Sequence, residues 1–145
     1  MKKALIFITS LLSFGLLVGC QATSETSASQ EAVAENTQVI SGTVSYRERI
    51  ALPENAVITV TLEDISLADA SSIVIATQEF TADKQVPFAF ELSYDNNKIQ
   101  ANHRYNMRAT IHVDGKLRFT TDTVKSVITD VENTQQADLR LVGVR

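Results

Sequence analysis

From Val39 to the C-terminus, apolar and polar residues alternate along most of the chain. A period of two places successive side chains on opposite faces of an extended strand, whereas a helix would show a period of about 3.6. In the segment 56–64, for example, Ile58, Val60 and Leu62 fall on one face and polar residues lie between them. The chain from Val39 onward is therefore predicted to fold as half-buried β-strands.

The predicted strands are short and are separated by turn-forming residues, which is typical of antiparallel sheets. We predict an all-β fold, an antiparallel β-sandwich of seven to eight strands over residues 39–145. The strands are predicted at 39–47, 56–64, 73–81, 86–93, 103–113, 117–124 and 137–143, with 125–129 as an eighth candidate. The run of four apolar residues that opens the segment 73–81 predicts burial on both faces of that strand.

One hairpin register follows from the apolar pattern. A two-residue turn at Asp114-Gly115 would place charged residues on the core face, because a one-residue slip moves every side chain to the other face. We therefore predict a three-residue loop with Gly115 in the left-handed region. This loop would pair Ile111 with Leu117 and Ala109 with Phe119.

The N-terminus has the layout of a secretory signal. Lys2 and Lys3 precede an uncharged apolar stretch over 4–18, and small Gly19 precedes Cys20, the single cysteine of the chain. The uncharged stretch from 4 to 19 is shorter than the roughly 20 residues that a membrane-spanning helix needs. The run that ends in Cys20 has the form of a bacterial lipobox, so we predict that residues 1–19 are removed and that Cys20 is lipidated.

A lipidated Cys20 would carry a diacylglycerol and often a third, amide-linked chain such as palmitate. Two acyl chains already give stable membrane anchoring. Gln21 follows Cys20 where an Asp commonly retains a lipoprotein in the inner membrane. We therefore expect the protein at the periplasmic face of the outer membrane in a Gram-negative cell.

Residues 21–38 contain no aromatic and no basic residue and are rich in Ser, Thr, Ala, Gln and Glu. This composition cannot bury enough apolar surface to fold, so residues 20–38 are predicted to form a lipidated, disordered tether. A short helix over 30–35 is the alternative. Without residues 1–19 the chain has 11 basic and 17 acidic residues, a formal net charge of −6, which excludes a basic surface for nucleic acid.

Few residues form patterns that support catalysis or metal binding. His103 and His112 are nine positions apart on one predicted strand and therefore face opposite ways. The run Asp95-Asn96-Asn97 is typical of a turn, since Asx side chains bond nearby backbone groups. Glu63 and Asp64 are adjacent, point to opposite faces and cannot act as an acid/base pair, and Asp69 nearby adds no spacing that indicates one. We predict no enzyme activity, no metal and no cofactor.

Four basic residues, Arg104, Arg108, Lys116 and Arg118, fall on one predicted hairpin. We interpret them as a solvated sheet face that discourages edge-to-edge pairing. The alternative is a docking patch for an acidic partner or a glycan.

Five segments together resemble the YbaY-type lipoproteins, which are grouped with the YscW-type small lipoproteins of type III secretion. The matching segments are 41–53, 60–70, 86–92, 103–105 and 119–123. The YscW-type proteins act as pilots or chaperones for outer-membrane secretins. The resemblance implies a β-sandwich lipoprotein, and it carries no catalytic or ligand-binding residues.

Three hypotheses follow for the function. The first is a non-enzymatic, membrane-anchored module that binds or chaperones an envelope protein. The second is a periplasmic lipoprotein that binds a glycan or small ligand. The third, a hydrolase, has no supporting set of residues. We favour the first.

Overall fold

The structure, a computed structural model, describes residues 36–145. It contains eight strands and one 3₁₀ helix over Asn96–Lys98. The strands are β1 (Thr37–Tyr46), β2 (Val57–Asp64), β3 (Ile73–Thr81), β4 (Phe88–Asp95), β5 (Tyr105–Val113), β6 (Lys116–Thr121), β7 (Lys125–Val127) and β8 (Gln136–Gly143). The predicted all-β class and strand number are confirmed. Within residues 36–145, no helix has the length and apolar character needed to cross a membrane.

The strands form one sheet in the order β3-β2-β5-β6-β8-β1-β4, and β7 pairs with β5 beside this path. The sheet curls back on itself, so that its two halves pack across a shared core and its end strands, β3 and β4, lie beside each other. The sandwich is therefore built from one continuous sheet, with a gap between β3 and β4 in place of a hydrogen-bonded pair.

One strand pair departs from the antiparallel prediction. β1 and β8 run parallel, with Gly42 opposite Ala137 and Val44 opposite Leu139. Alternation of side chains is the same in parallel and antiparallel strands, so the period of two carries no information on direction. β1 also begins at Thr37, two residues before the predicted strand, and so takes in the end of the predicted linker.

The core consists of the inward faces of these strands, as the alternation predicted. Ile58, Val60 and Leu62 of β2 are fully buried. The other large, fully buried side chains include Ile40, Val44, Phe88, Leu92, Tyr105, Met107, Ile111, Val127 and Leu141. Burying one such side chain contributes about 1.5–3 kcal/mol, so this set supplies the main driving force for folding.

The predicted register of the β5–β6 hairpin is wrong. The structure has a two-residue turn in which Asp114 and Gly115 both have positive φ, as a type I′ turn requires. His112 therefore lies opposite Leu117. A β-bulge restores the apolar register one step later, because Ile111 pairs with Phe119 and Arg118 is the extra residue on β6.

The predicted burial of β3 on both faces is also wrong. The side chains of Ile73 and Val74 are 54% and 58% exposed. β3 is the end strand of the sheet, so within residues 36–145 only β2 covers one of its edges and no further strand covers its outer face. A register shift opposite Leu62 and Glu63 makes Ile75 an extra residue on β3, which explains why apolar residues run together there.

Candidate functional site

The gap between the end strands β3 and β4 is the most distinctive surface of the fold, and we call it the seam. The two strands are joined by residues 82–87 and approach each other where Phe80 and Thr81 face Phe88 and Ala89. Further along, the seam opens into a depression of about 520 Å³. The depression is lined by Ser41, Gly42, Thr43, Gln78, Ala89, Phe90, Glu91 and Gln136.

The β3 side of the seam presents unpaired backbone groups. Just past the end of β3, the N–H of Ala82 donates to the carbonyl of Ala56, at 2.9 Å. Residues of an antiparallel pair alternate between those that bond the neighbouring strand and those that point away from it. Counting back from Ala82, the N–H and C=O groups of Thr81, Glu79 and Thr77 therefore point away from β2 and toward the seam.

The seam is negatively charged. β3 and β4 carry the exposed carboxylates of Glu79, Glu91 and Asp95, and neither strand contains a lysine or arginine. The connection between the strands adds one acidic residue, Asp83, and one basic residue, Lys84, which leave the net charge unchanged. Excess negative charge on two neighbouring strands favours a positively charged ligand and raises its association rate.

Gln78 adds an unsatisfied acceptor to the seam. Its Oε1 atom is buried and, among the protein atoms that the structure describes, has no hydrogen-bond partner. A buried acceptor without a partner costs about 1–3 kcal/mol. Gln78 lies opposite the fully buried Val60 of β2, on the inward face of β3. A donor that entered the seam would relieve this cost, so Gln78 marks the seam as a place where a ligand would gain affinity.

A second polar cluster lies where β2 ends and β5 begins. Oδ2 of Asp64 is 2.5 Å from Nδ1 of His103, and Oδ1 of Asp64 accepts from the backbone and the hydroxyl of Ser66, at 2.9 and 2.5 Å. The backbone N–H of Arg104 donates to the Ser66 hydroxyl. The hydroxyl of Thr129 donates to the carbonyl of His103. The cluster therefore ties three loops together.

Burial of the Asp64 carboxyl alone would raise its pKa, but hydrogen bonds from Ser66 and His103 and the attraction of His103 outweigh it, so its pKa lies below the usual value. The Ser66 hydroxyl bonds the carboxylate and not the imidazole, so the serine–histidine hydrogen bond of a nucleophilic triad is not formed here. The geometry is that of a structural network. Neither this network nor Gln78 was singled out from the sequence; the Asp-x-Ser spacing at 64–66 is the one local signal for the network.

The predicted separation of Glu63 and Asp64 is observed. Glu63 lies 3.4 Å from the guanidinium of Arg108 on the outer side of the sheet, while Asp64 faces the His103 cluster. His103 and His112 do not share a site, and residues 36–145 contain no group of three or more His, Cys, Asp or Glu side chains suited to a metal ion. The Asp95 carboxylate accepts from the N–H of Asn97, which is the predicted turn geometry.

The four basic residues do not form one patch. Lys116 and Arg118 line a depression beside residues 50–53, whereas Arg108 pairs with Glu63 and lines a different depression, on the outer face of β2, β3 and β5. Arg104 lies outside the strands, and its backbone bonds Ser66. The bulge at Arg118 separates these residues by breaking the register that would have aligned them. Cys20 lies outside the described residues.

Comparison with known proteins places this fold among secretion lipoproteins. The family described as type III secretion system lipoprotein chaperone (YscW) matches residues 35–141. The uncharacterized lipoprotein YbaY of Escherichia coli K12 is 46% identical over 125 residues, which are 86% of this chain and 64% of that protein. The chain thus spans less than two thirds of the length of this curated relative.

A solved structure shares both the sequence and the fold. It is that of an alternative pilotin from the type II secretion system of Vibrio cholerae, with 57% identity and a TM-score of 0.74. The match covers 75% of this chain and 98% of that one. The recognition of a YbaY/YscW-type lipoprotein from the sequence is confirmed, and the chain belongs to the YscW family of secretion lipoprotein chaperones.

Proposed function

We propose that this protein is a pilot-like lipoprotein that is anchored through Cys20 in the outer membrane and binds a secretin-type envelope protein. The observation that carries the proposal is the 57% identity to a pilotin over three quarters of the chain. The family is one of chaperones, which agrees with a non-enzymatic role. The seam supports a protein partner because it offers unpaired strand edges and a depression beside them.

Binding of a glycan, the second hypothesis, lacks a stacking surface in the part of the chain that the structure describes. Six of the seven aromatic side chains in residues 36–145 are buried, and the seventh, Phe80, is half-buried against the core. Protein–sugar contacts of useful strength commonly rely on an exposed aromatic ring, which packs large apolar area at low entropic cost. We therefore favour a protein partner.

The proposal is tested in cells that lack the chromosomal copy of this gene. We expect the secretin-type proteins of the host to accumulate in fractions other than the outer membrane, or to remain unassembled. The full-length lipoprotein should restore their location and assembly. The measurement is membrane fractionation combined with native gels of the secretin multimers. Purified lipoprotein in detergent should also form a complex with the affected secretin.

The matched control is the Cys20→Ser chain, which keeps the folded domain and removes the predicted lipidation site. It should bind the secretin without restoring its outer-membrane location. Unchanged secretin location and assembly in the deletion strain would disprove the pilot role.

A further inference from the structure

We infer that the free edge of β3 binds an extended, basic segment of the partner protein as an added β-strand. The inference rests on the proposed function in so far as it takes the partner to be a protein. It goes beyond that function by assigning the binding edge, the backbone conformation of the bound segment and the sign of its charge.

The backbone of β3 is suited to strand addition. β3 spans nine residues and, among the strands that the structure describes, pairs only with β2. The N–H and C=O groups of Thr77 and Glu79 point toward the seam and have no strand partner among residues 36–145. Proteins commonly protect such an edge with lysine, proline or a covering loop. β3 contains no lysine and no proline, and its far end, near Phe80, approaches β4.

The charge of the seam selects the bound segment. Glu79 on β3 and Glu91 on β4 are exposed on either side of the gap, and no basic residue of either strand neutralises them. The buried Oε1 of Gln78 is one more acceptor without a donor. The two exposed carboxylates therefore favour a positive charge, and Gln78, on the opposite face of β3, requires a donor. A segment containing Lys or Arg supplies both, whereas an acidic segment would be repelled.

The wide end of the seam adds apolar surface. Ile73 and Val74 are both more than half exposed at the start of β3, away from the connection to β4. Successive strand residues point to opposite faces, so Val74 lies on the outer face with Glu79, and Ile73 on the face of Gln78 and Phe80. A strand added along β3 would place every second side chain beside Glu79 on the outer face and the others on the apolar face of Phe80. The fitting segment therefore alternates apolar and basic residues.

The probe is a synthetic peptide as long as β3, Ac-TVKVTVKVT-NH₂, added to the full-length lipoprotein in detergent. Hydrogen exchange at single amides is measured by NMR with and without the peptide. We expect the amides of Thr77 and Glu79 to exchange readily in the free protein and to become protected on binding. The amides of Gln78 and Phe80 bond β2 and should be protected in both states.

Two further peptides separate the parts of the inference. Ac-TVEVTVEVT-NH₂ has the same β-propensity and the opposite charge, and it should not bind. A Lys peptide that is N-methylated at alternate residues on its pairing edge keeps the charge but cannot donate to β3, and it should also fail. Equal binding by the methylated peptide would overturn strand addition, and equal binding by the Glu peptide would overturn the preference for basic segments.

Variants of the protein test the seam itself. Glu79→Gln and Glu91→Gln should each weaken binding of the Lys peptide by about two- to five-fold at low salt, as removal of an exposed ion pair does. Asp122→Asn, an exposed change beyond the end of β6 and away from the seam, is the matched control and should leave binding unchanged. Equal loss in the control would refute the assignment to the seam.

The inference and the proposed function can fail separately. Absence of binding by the Lys peptide would overturn strand addition, even if deletion of the gene still displaced a secretin. Binding of the peptide with protection of Thr77 and Glu79 would support strand addition, even if no secretin depended on the protein.

Discussion

The imidazole of His103 lies against the carboxylate of Asp64, with 2.5 Å between Nδ1 and Oδ2, although the two residues are 39 positions apart. Asp64 ends β2, and His103 lies just before β5, so antiparallel pairing of these strands brings them together. Asp64 is only 8% exposed and also holds Ser66. The pair therefore links the end of β2 to the loop that precedes β5 and stabilises this end of the sheet.

The hydrogen bonds of Asp64 predict that the free energy of unfolding falls at acidic pH. The pKa of Asp64 is lowered by its hydrogen bonds, so at acidic pH the unfolded state binds more protons than the folded state. The contribution of Asp64 to the free energy of unfolding is present above its unfolded pKa of about 3.9 and is lost as the pH falls through the lower, folded pKa. Urea unfolding at several pH values measures it.

The Asp64→Asn variant is the comparison for that measurement. We expect it to be less stable by about 1.5–3 kcal/mol at neutral pH, the usual contribution of hydrogen bonds to a charged group. The difference from the wild type should shrink below about pH 4. Some acid dependence will remain in the variant, because hydrogen bonds from Thr134 also lower the pKa of Asp130. A difference that is independent of pH would contradict the role assigned to the Asp64 charge.

Gln78 and Gln85 provide a matched pair for the seam. Replacing Gln78 by Met removes a buried acceptor that has no partner, so the free energy of unfolding should rise by about 1 kcal/mol. Gln85 bonds both the N–H and the C=O of Leu52, at 3.1 and 3.3 Å, so Gln85→Met should lower stability by about 1 kcal/mol. Chemical denaturation measures both. Loss of stability in Gln78→Met would show that its oxygen has a partner in solution.

Much of the fold was predictable because burial of one face imposes the period of two on each strand. The inward residues of β5, from Tyr105 to Ile111, are buried as that pattern required. The local pattern was insufficient at the β5–β6 turn. Two corrections would bring the apolar residues of β6 to the core: a three-residue loop, as predicted, or a two-residue turn followed by a bulge at Arg118, as observed. The apolar signal alone cannot choose between these two corrections.

The site was less predictable because it depends on strand order. The exposure of Ile73 and Val74, the free edge at Thr77 and the orphan oxygen of Gln78 all follow from the position of β3 at the end of the sheet. Strand order is set by contacts between distant segments, such as the parallel pairing of β1 with β8, and no local periodicity encodes it.

Gly42 is predicted to be essential for that parallel pairing. A Cβ atom at this position would lie 1.9 Å from the carbonyl oxygen of Ala137, which is backbone and cannot move aside like a side chain. Gly42→Ala should therefore destabilise the protein by about 1–3 kcal/mol or more, as overpacking does. Gly115→Asn is the comparison and should cost less: its positive φ disfavours a side chain, but Asn tolerates such a φ better than most residues and no atom lies within 4 Å of the added Cβ. Thermal unfolding that shows equal losses would argue against the close approach of β1 to β8.

The last prediction separates anchoring from binding. Cys20→Ser should move the protein from the membrane fraction to the soluble periplasmic fraction, because the predicted acyl chains would supply membrane affinity of about 0.8 kcal/mol per buried CH₂. Its free energy of unfolding should stay unchanged, because the core lies within the strands. The double variant Glu79→Lys and Glu91→Lys should behave in the opposite way. It should stay in the membrane fraction and lose the partner, since the carboxylates of Glu79 and Glu91 on either side of the seam are replaced by positive charges. Fractionation and co-purification of the two variants measure this separation. If the soluble Cys20→Ser chain still delivered its partner to the outer membrane, delivery would not depend on the lipid anchor. The proposed mechanism, in which the anchored protein carries its partner to the membrane, would then be wrong.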